Sequence, residues 1–237
     1  MSQQTGHLSN RLWKVLTWSL FSICSLLILT TYTEYGITND EVSHAKYGRD
    51  ITSWYTSLFQ DTEVFQSANT WLYGGFYDTI THLIASSLPF DLYETRHLIN
   101  ALTGLLGVVA VHRLGTLLGG PSVGFLAALL LILTPRYYGH AFNNPKDIPF
   151  AVTYIWSIYF IARSLAHLPR LPRNLLLKTG LAIGFTMGFG WAEPFSWVTS
   201  FCLQFWPDSC LLDRIAPHLA SPCACSHFGV PCSLYSH

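Results

Sequence analysis

Charge is what this chain has least of. Only 11% of its 237 residues are Asp, Glu, Lys or Arg, against about a quarter in soluble domains. With half the residues hydrophobic and 15% aromatic, that scarcity points to a membrane protein. Neither sign of charge dominates, because 13 basic and 13 acidic side chains cancel, and the positive excess that suits nucleic acid is missing. Common motifs are missing as well. There is no P-loop, no G-x-G-x-x-G opening a βαβ unit and no H-E-x-x-H, so soluble nucleotide chemistry is not expected. Cysteine is absent from most of the length: Cys24 stands alone and the other five fall between Cys202 and Cys232. The run Cys223-Ala224-Cys225-Ser226-His227 lacks a second well-spaced ligand pair, so zinc is not expected there. No internal repeat and no soluble domain is visible.

What the chain does have is apolar runs. Leu12 to Tyr32 carries no charge except Lys14, and about 20 apolar residues suffice to cross a bilayer. The exit Thr30-Thr31-Tyr32-Thr33-Glu34 lacks a small-residue cleavage site, which favours a retained anchor over a signal peptide. Further spans are expected over His97 to Val111 and on to Leu118, over Val123 to Thr134, over Ile148 to Ala162, and from Thr179 onward. Gly119-Gly120-Pro121 makes a turn, and a polar loop runs from Arg136 to Asp147. The fifth span opens with Gly180, Gly184, Gly188 and Gly190, a stripe that lets helices approach closely.

Charge asymmetry orients these spans. Arg11 and Lys14 precede the first, and Arg163, Arg170, Arg173 and Lys178 follow the fourth with no acid among them. The positive-inside rule therefore puts the N-terminus in the cytoplasm and residues 34–96 outside. Nine of the 13 acids lie in that external loop beside only Lys46, Arg49 and Arg96. Within it, Tyr47, Ile51, Trp54, Tyr55 and Leu58 form one helical stripe, and Phe76, Ile80, Leu83, Ile84 and Leu88 form another. Both suit helices lying in the headgroup layer. The expected fold is all-α, a multi-pass transmembrane bundle with interfacial helices in the first external loop.

The candidate chemistry sits in the two external loops. Asp40 and Glu41 follow the first span and Asp147 opens the fourth, so the two acidic loops can converge. If the segment after Asn39 is helical, His44 lies one turn from both acids. A carboxylate so placed can serve as general base toward an acceptor hydroxyl or amine. Hard oxygen ligands from Asp40 and Asp147 also suit Mg²⁺ or Mn²⁺, with phosphate oxygens completing the shell. Arg96, His140 and Lys146 are cations on the same side, suited to a lipid-linked phosphate. The bland alternatives are a snorkelling Arg96 and a surface ion pair of Lys146 with Asp147.

These residues resemble a known family. Asn39-Asp40-Glu41 with His44 and Tyr47-Gly48 comes first, then Arg96-His97 and Leu118-Gly119-Gly120 with Gly124 and Ala127-Ala128. Pro135 and Asn144-Pro145-Lys146-Asp147-Ile148-Pro149 follow. In that order they are similar to the N-terminal part of GT-C integral-membrane glycosyltransferases, in particular the protein O-mannosyltransferase and aminoarabinose transferase group, over roughly residues 10–190. The resemblance implies inverting transfer of a sugar from a polyprenyl-phosphate carrier to a protein, lipid or glycan acceptor on the outer face. It implies Asp40 as the base with Glu41 beside it, and Asp147 as the acidic position of the second loop, tied to activity or metal in some members. Such enzymes have many more spans, whereas about five are visible here. A non-catalytic polytopic protein, either a degenerate enzyme or a transporter-like fragment, is the alternative, although the first four spans lack the ionisable path a transporter needs apart from His112-Arg113.

Helical patterning gives out after Gly190. Residues 191–237 hold five of the 12 prolines, five of the six cysteines and Glu193 within an apolar run. The expectation is an irregular tail produced by a frameshift or truncation, with a kinked or re-entrant segment as the alternative.

Overall fold

The computed structural model describes residues 2–66 and 74–189. Eight α-helices and one 3-10 turn are present, and no strand occurs among the described residues. Helix α1 (Ser2–Thr31) contains the first span, followed by α2 (Asn39–Thr56), a 3-10 turn (Glu63–Phe65) and α3 (Phe76–Ser87). Then come α4 (Leu92–Gly119), α5 (Pro121–Ile132), α6 (Pro135–Asn143), α7 (Asp147–Leu165) and α8 (Arg173–Phe189). Among the described residues, three stretches are long and apolar enough to cross a membrane: Asn10–Thr31, Leu92–Gly119 and Asp147–Leu165. The α5–α6 pair, bent by 67°, qualifies together as a fourth, a broken span or a re-entrant loop.

The helices alternate in direction. Ile28 packs with Ala101 while Thr17 Oγ1 meets His112 Nε2 at 3.3 Å, so α1 and α4 are antiparallel. Between α7 and α8, Ser157 Oγ lies 3.0 Å from Thr186 Oγ1 and Ser164 Oγ lies 2.9 Å from Thr179 Oγ1, which makes that pair antiparallel too. The α4–α5 reversal is built from Gly119-Gly120-Pro121. Gly120 takes φ 88°, a left-handed value that a side chain disfavours, and Pro121 starts α5 with its ring already at a helical φ. As a result the first loop, the start of α4, the end of α6 and the start of α7 share one end of the bundle.

Three expectations are corrected. The polar loop expected over Arg136 to Asp147 is mostly helix, α6, because Pro135 at its first turn starts a helix whose final residue is Asn143. Alone, the 12 residues of α5 reach only about 18 Å at 1.5 Å per residue, short of a hydrocarbon core of about 30 Å, so the third span needs α6. The fifth helix starts at Arg173 rather than near Thr179, which places Arg173 and Lys178 within its first turns instead of in a loop. The remainder of that span from Gly190, the clustered cysteines and the irregular tail over 191–237 lie outside the described residues.

Helices α2 and α3 pack on each other at the site end of the bundle. Tyr47 and Ile51 of the α2 stripe are buried with Val64, and Trp54 packs against them. On α3 the expected stripe of Phe76, Ile80, Leu83 and Ile84 is exposed, while Tyr77, Asp78, Thr81 and Ala85 are buried. An apolar face turned outward and a polar face turned inward is the arrangement of a helix resting on lipid.

Helix α2 ends in a Schellman motif, for Phe59 N–H donates to Trp54 O at 2.8 Å and Leu58 N–H to Tyr55 O at 3.2 Å. The position that usually holds Gly is Leu58, at φ 55° and 78% exposed. A left-handed Leu costs about 1–2 kcal/mol, and glycine's greater freedom in the unfolded chain returns roughly 0.5–1 kcal/mol of that cost. Leu58→Gly is therefore expected to raise the thermal midpoint in detergent by a few degrees; a lowered midpoint would mean that the exposed leucine is held by contacts stronger than its backbone cost.

Candidate functional site

The site begins with a local signal. Thr38 and Glu41 form a capping box: Thr38 N–H donates to Glu41 Oε2 at 2.8 Å and Glu41 N–H to Thr38 Oγ1 at 3.4 Å. The pattern Thr-x-x-Glu at an amphipathic start predicts this, and it fixes where α2 begins. Asp40 then falls in the first turn of α2 and is exposed, with no hydrogen bond or ion pair to its carboxylate among the described residues. The same Thr38 hydroxyl donates to Asn143 O at 3.3 Å, and Tyr35 stacks on Phe142 at 3.8 Å between ring centroids. Burial, and then the hydrogen bond with Tyr138, pushes the Tyr35 phenol up to about 12, so it stays neutral as a packing group at the seam. The two loops that carry Asp40 and Asp147 are thus joined at one end of the bundle.

Behind this surface lies a buried polar network. Asp78 of α3 accepts from His44 Nδ1 at 2.6 Å and from Arg96 Nη2 at 3.0 Å, tying α2, α3 and α4 together. Glu41 Oε1 lies 2.7 Å from His97 Nε2. Tyr77 O–H donates to Asn100 Oδ1 at 3.0 Å, and Asn100 Nδ2 donates to His140 O at 3.4 Å. At 28 residues α4 is about 42 Å long, some 12 Å more than a hydrocarbon core, so its first turns with Arg96 and His97 can stand clear of the lipid tails.

Two candidates therefore sit differently from the sequence expectation. Glu41, read as a possible base beside Asp40, is 2% exposed and committed to the capping box and His97. Arg96, read as a cation at the helix mouth or a snorkelling side chain, is 2% exposed and paired with Asp78. Its Nε and Nη1 are buried and make no hydrogen bond among the described residues. Burying a guanidinium demands a carboxylate beside it, and Asp78 supplies one. Asp78 was not singled out by the sequence, because its partners stand 34 and 18 residues away.

The second loop is organised by Asn144. Its Oδ1 accepts from the backbone N–H of Asp147 at 2.9 Å and of Lys146 at 3.3 Å, while its Nδ2 lies 3.0 Å from Asp147 Oδ2 and 3.2 Å from His140 Nδ1. Asp147 and His140 are exposed and Lys146 is half-buried. No group of three or more His, Cys, Asp or Glu side chains suited to a metal gathers among the described residues. Mg²⁺ is usually held by one or two carboxylates together with substrate phosphates rather than by an all-protein cage, and exposed Asp40 and Asp147 are the carboxylates that would supply such ligands.

Residues 93–191 match the family model of dolichyl-phosphate-mannose-protein mannosyltransferase. Over these residues the chain is similar to that family, in keeping with the resemblance read from its motifs. The matched segment holds Arg96, His140, Lys146 and Asp147, and Asp40 and Glu41 precede it. No curated protein and no solved structure matches the chain.

Proposed function

We propose that this protein is a membrane glycosyltransferase that moves a sugar of the mannose class from a polyprenyl-phosphate donor to an acceptor hydroxyl at the outer face of the membrane. The observation that carries it is the junction of the first loop with a loop inside the mannosyltransferase-like segment, through the Thr38 to Asn143 hydrogen bond. In this reading Asp40, the open carboxylate, takes the acceptor's proton as its oxygen attacks the anomeric carbon. The bond from that carbon to the carrier's phosphate oxygen breaks from the opposite face, and the polyprenyl phosphate leaves with the electron pair. Lys146 and His140 face the donor phosphate, and Asp147 the sugar or acceptor. Arg96 and Glu41 act from inside, as the groups that hold α4 and α2 in place.

The test is transfer of labelled mannose from polyprenyl-phosphate mannose in membranes containing the full chain. Donor-dependent transfer above matched empty membranes is the expected result. None, from protein shown to be inserted and folded, would move the chain to the non-catalytic class.

Outer-face chemistry also requires the site end of the bundle to be extracytoplasmic. In a background with the six native cysteines replaced, a cysteine at exposed Ser86 is expected to react with an impermeant maleimide in intact cells, and one at exposed Asn174 only after lysis. The reverse pattern would place the site in the cytoplasm.

A further inference from the structure

The second loop contains a determined proton arrangement that the proposed reaction does not by itself require. Asn144 Oδ1 accepts two backbone N–H groups, those of Lys146 and Asp147. That fixes which way the amide faces, since an NH₂ in the same place would set donors against donors. The two hydrogens of Nδ2 are then left for Asp147 Oδ2 at 3.0 Å and His140 Nδ1 at 3.2 Å. A nitrogen that accepts has no hydrogen, so the His140 ring carries its proton on Nε2. In this arrangement His140 presents an Nε2–H donor on the side away from Asn144. His167 provides the opposite case on the same chain: its Nδ1 lies 2.8 Å from Arg163 O, and a carbonyl only accepts, so His167 carries Nδ1–H.

We infer that Asn144 is a positioning residue of the donor site. It sets the His140 tautomer so that Nε2–H meets an oxygen of the lipid-linked sugar phosphate, and it holds Asp147 by one carboxylate oxygen, leaving Oδ1 for the ligand. The identity of the ligand rests on the glycosyltransferase reading; the tautomer does not. An N–H donor at Nε2 adds a directional hydrogen bond to a phosphate already faced by Lys146.

Asn144→Asp separates positioning from structure. A carboxylate still accepts from the two backbone N–H groups but offers no hydrogen to His140; because it would also set an oxygen against Asp147 Oδ2, 3.0 Å from the present amide nitrogen, it is made together with Asp147→Asn, whose amide donates in its place. With ¹⁵N-histidine labelling in detergent or nanodiscs, His140→Gln and His167→Gln spectra assign the two rings by difference. The expected result is Nε2–H for His140 beside Nδ1–H for His167 in wild type and in Asp147→Asn, with His140 switching to Nδ1–H when Asn144→Asp is added to Asp147→Asn, at a thermal midpoint unchanged from Asp147→Asn. Measured against Asp147→Asn as the reference, binding of a short-chain polyprenyl-phosphate mannose is expected to weaken about tenfold on adding Asn144→Asp or His140→Gln, the worth of one hydrogen bond, with no further loss when both are added. Nδ1–H on wild-type His140, a tautomer indifferent to the Asn144 change, or undiminished donor binding on adding Asn144→Asp would overturn the inference. Normal donor binding by wild-type protein without any transfer would instead sink the glycosyltransferase reading and leave Asn144 in its role.

Discussion

Replacing Asp40 by Asn is expected to cut sugar transfer by about 10²- to 10⁴-fold, the usual contribution of a general base, while insertion and thermal midpoint stay as in wild type. The two acids of the first turn are not equivalent. Glu41 has both oxygens engaged, one by the Thr38 backbone and one beside His97, so deprotonating an acceptor would mean giving up the start of α2. Asp40 is one residue earlier, a rotation of about 100° around the helix, and its carboxylate is in solvent. Glu41→Gln is therefore expected to lose stability as well as activity, whereas Asp40→Asn loses activity alone. Measured as initial rates on matched amounts of folded protein, near-normal turnover by Asp40→Asn would move the base to Asp147, the exposed acid of the second loop.

The second large effect is on stability. Asp78→Ala is expected to cost about 3–5 kcal/mol, because it strips the carboxylate from a guanidinium that is only 2% exposed. The loss propagates through His44, so α2, α3 and α4 lose their common tie together. Removing the charge from both sides should be far milder: Asp78→Ala combined with Arg96→Met leaves no unpaired ion and is expected to recover a large part of the loss. Denaturant titration in a fixed detergent measures both. If Asp78→Ala is as stable as wild type, Arg96 is solvated and available to a ligand after all.

The sequence made the spans legible because bilayer thickness demands long uninterrupted apolar stretches, and α1, α4 and α7 obey that demand. It was less informative about α5 and α6, where Pro135 reads equally as a stop for one helix and a start for the next. That the first and second loops meet at one end of the bundle followed from alternating spans. The capping box of Thr38 and Glu41 was also written locally, and it is the signal that separates Glu41 from Asp40. Asp78 could not be found this way. Its meaning comes from His44 and Arg96, which reach it only after three helices have docked, and nothing in its neighbours Tyr77 and Thr79 distinguishes it from an ordinary polar residue on an interfacial helix.

The proposed transfer requires the first loop and the second loop to face a lipid-linked sugar phosphate together. Photocrosslinking tests it directly, using polyprenyl-phosphate mannose with a photoreactive group on the sugar, added to membranes that contain the full chain. Peptide mapping is expected to recover label in both the segment around Asp40 and the segment from His140 to Asp147, competed by unmodified donor. Label confined to one of these segments, or competition by none of the unmodified donor, would contradict the claim that the two loops make a single site.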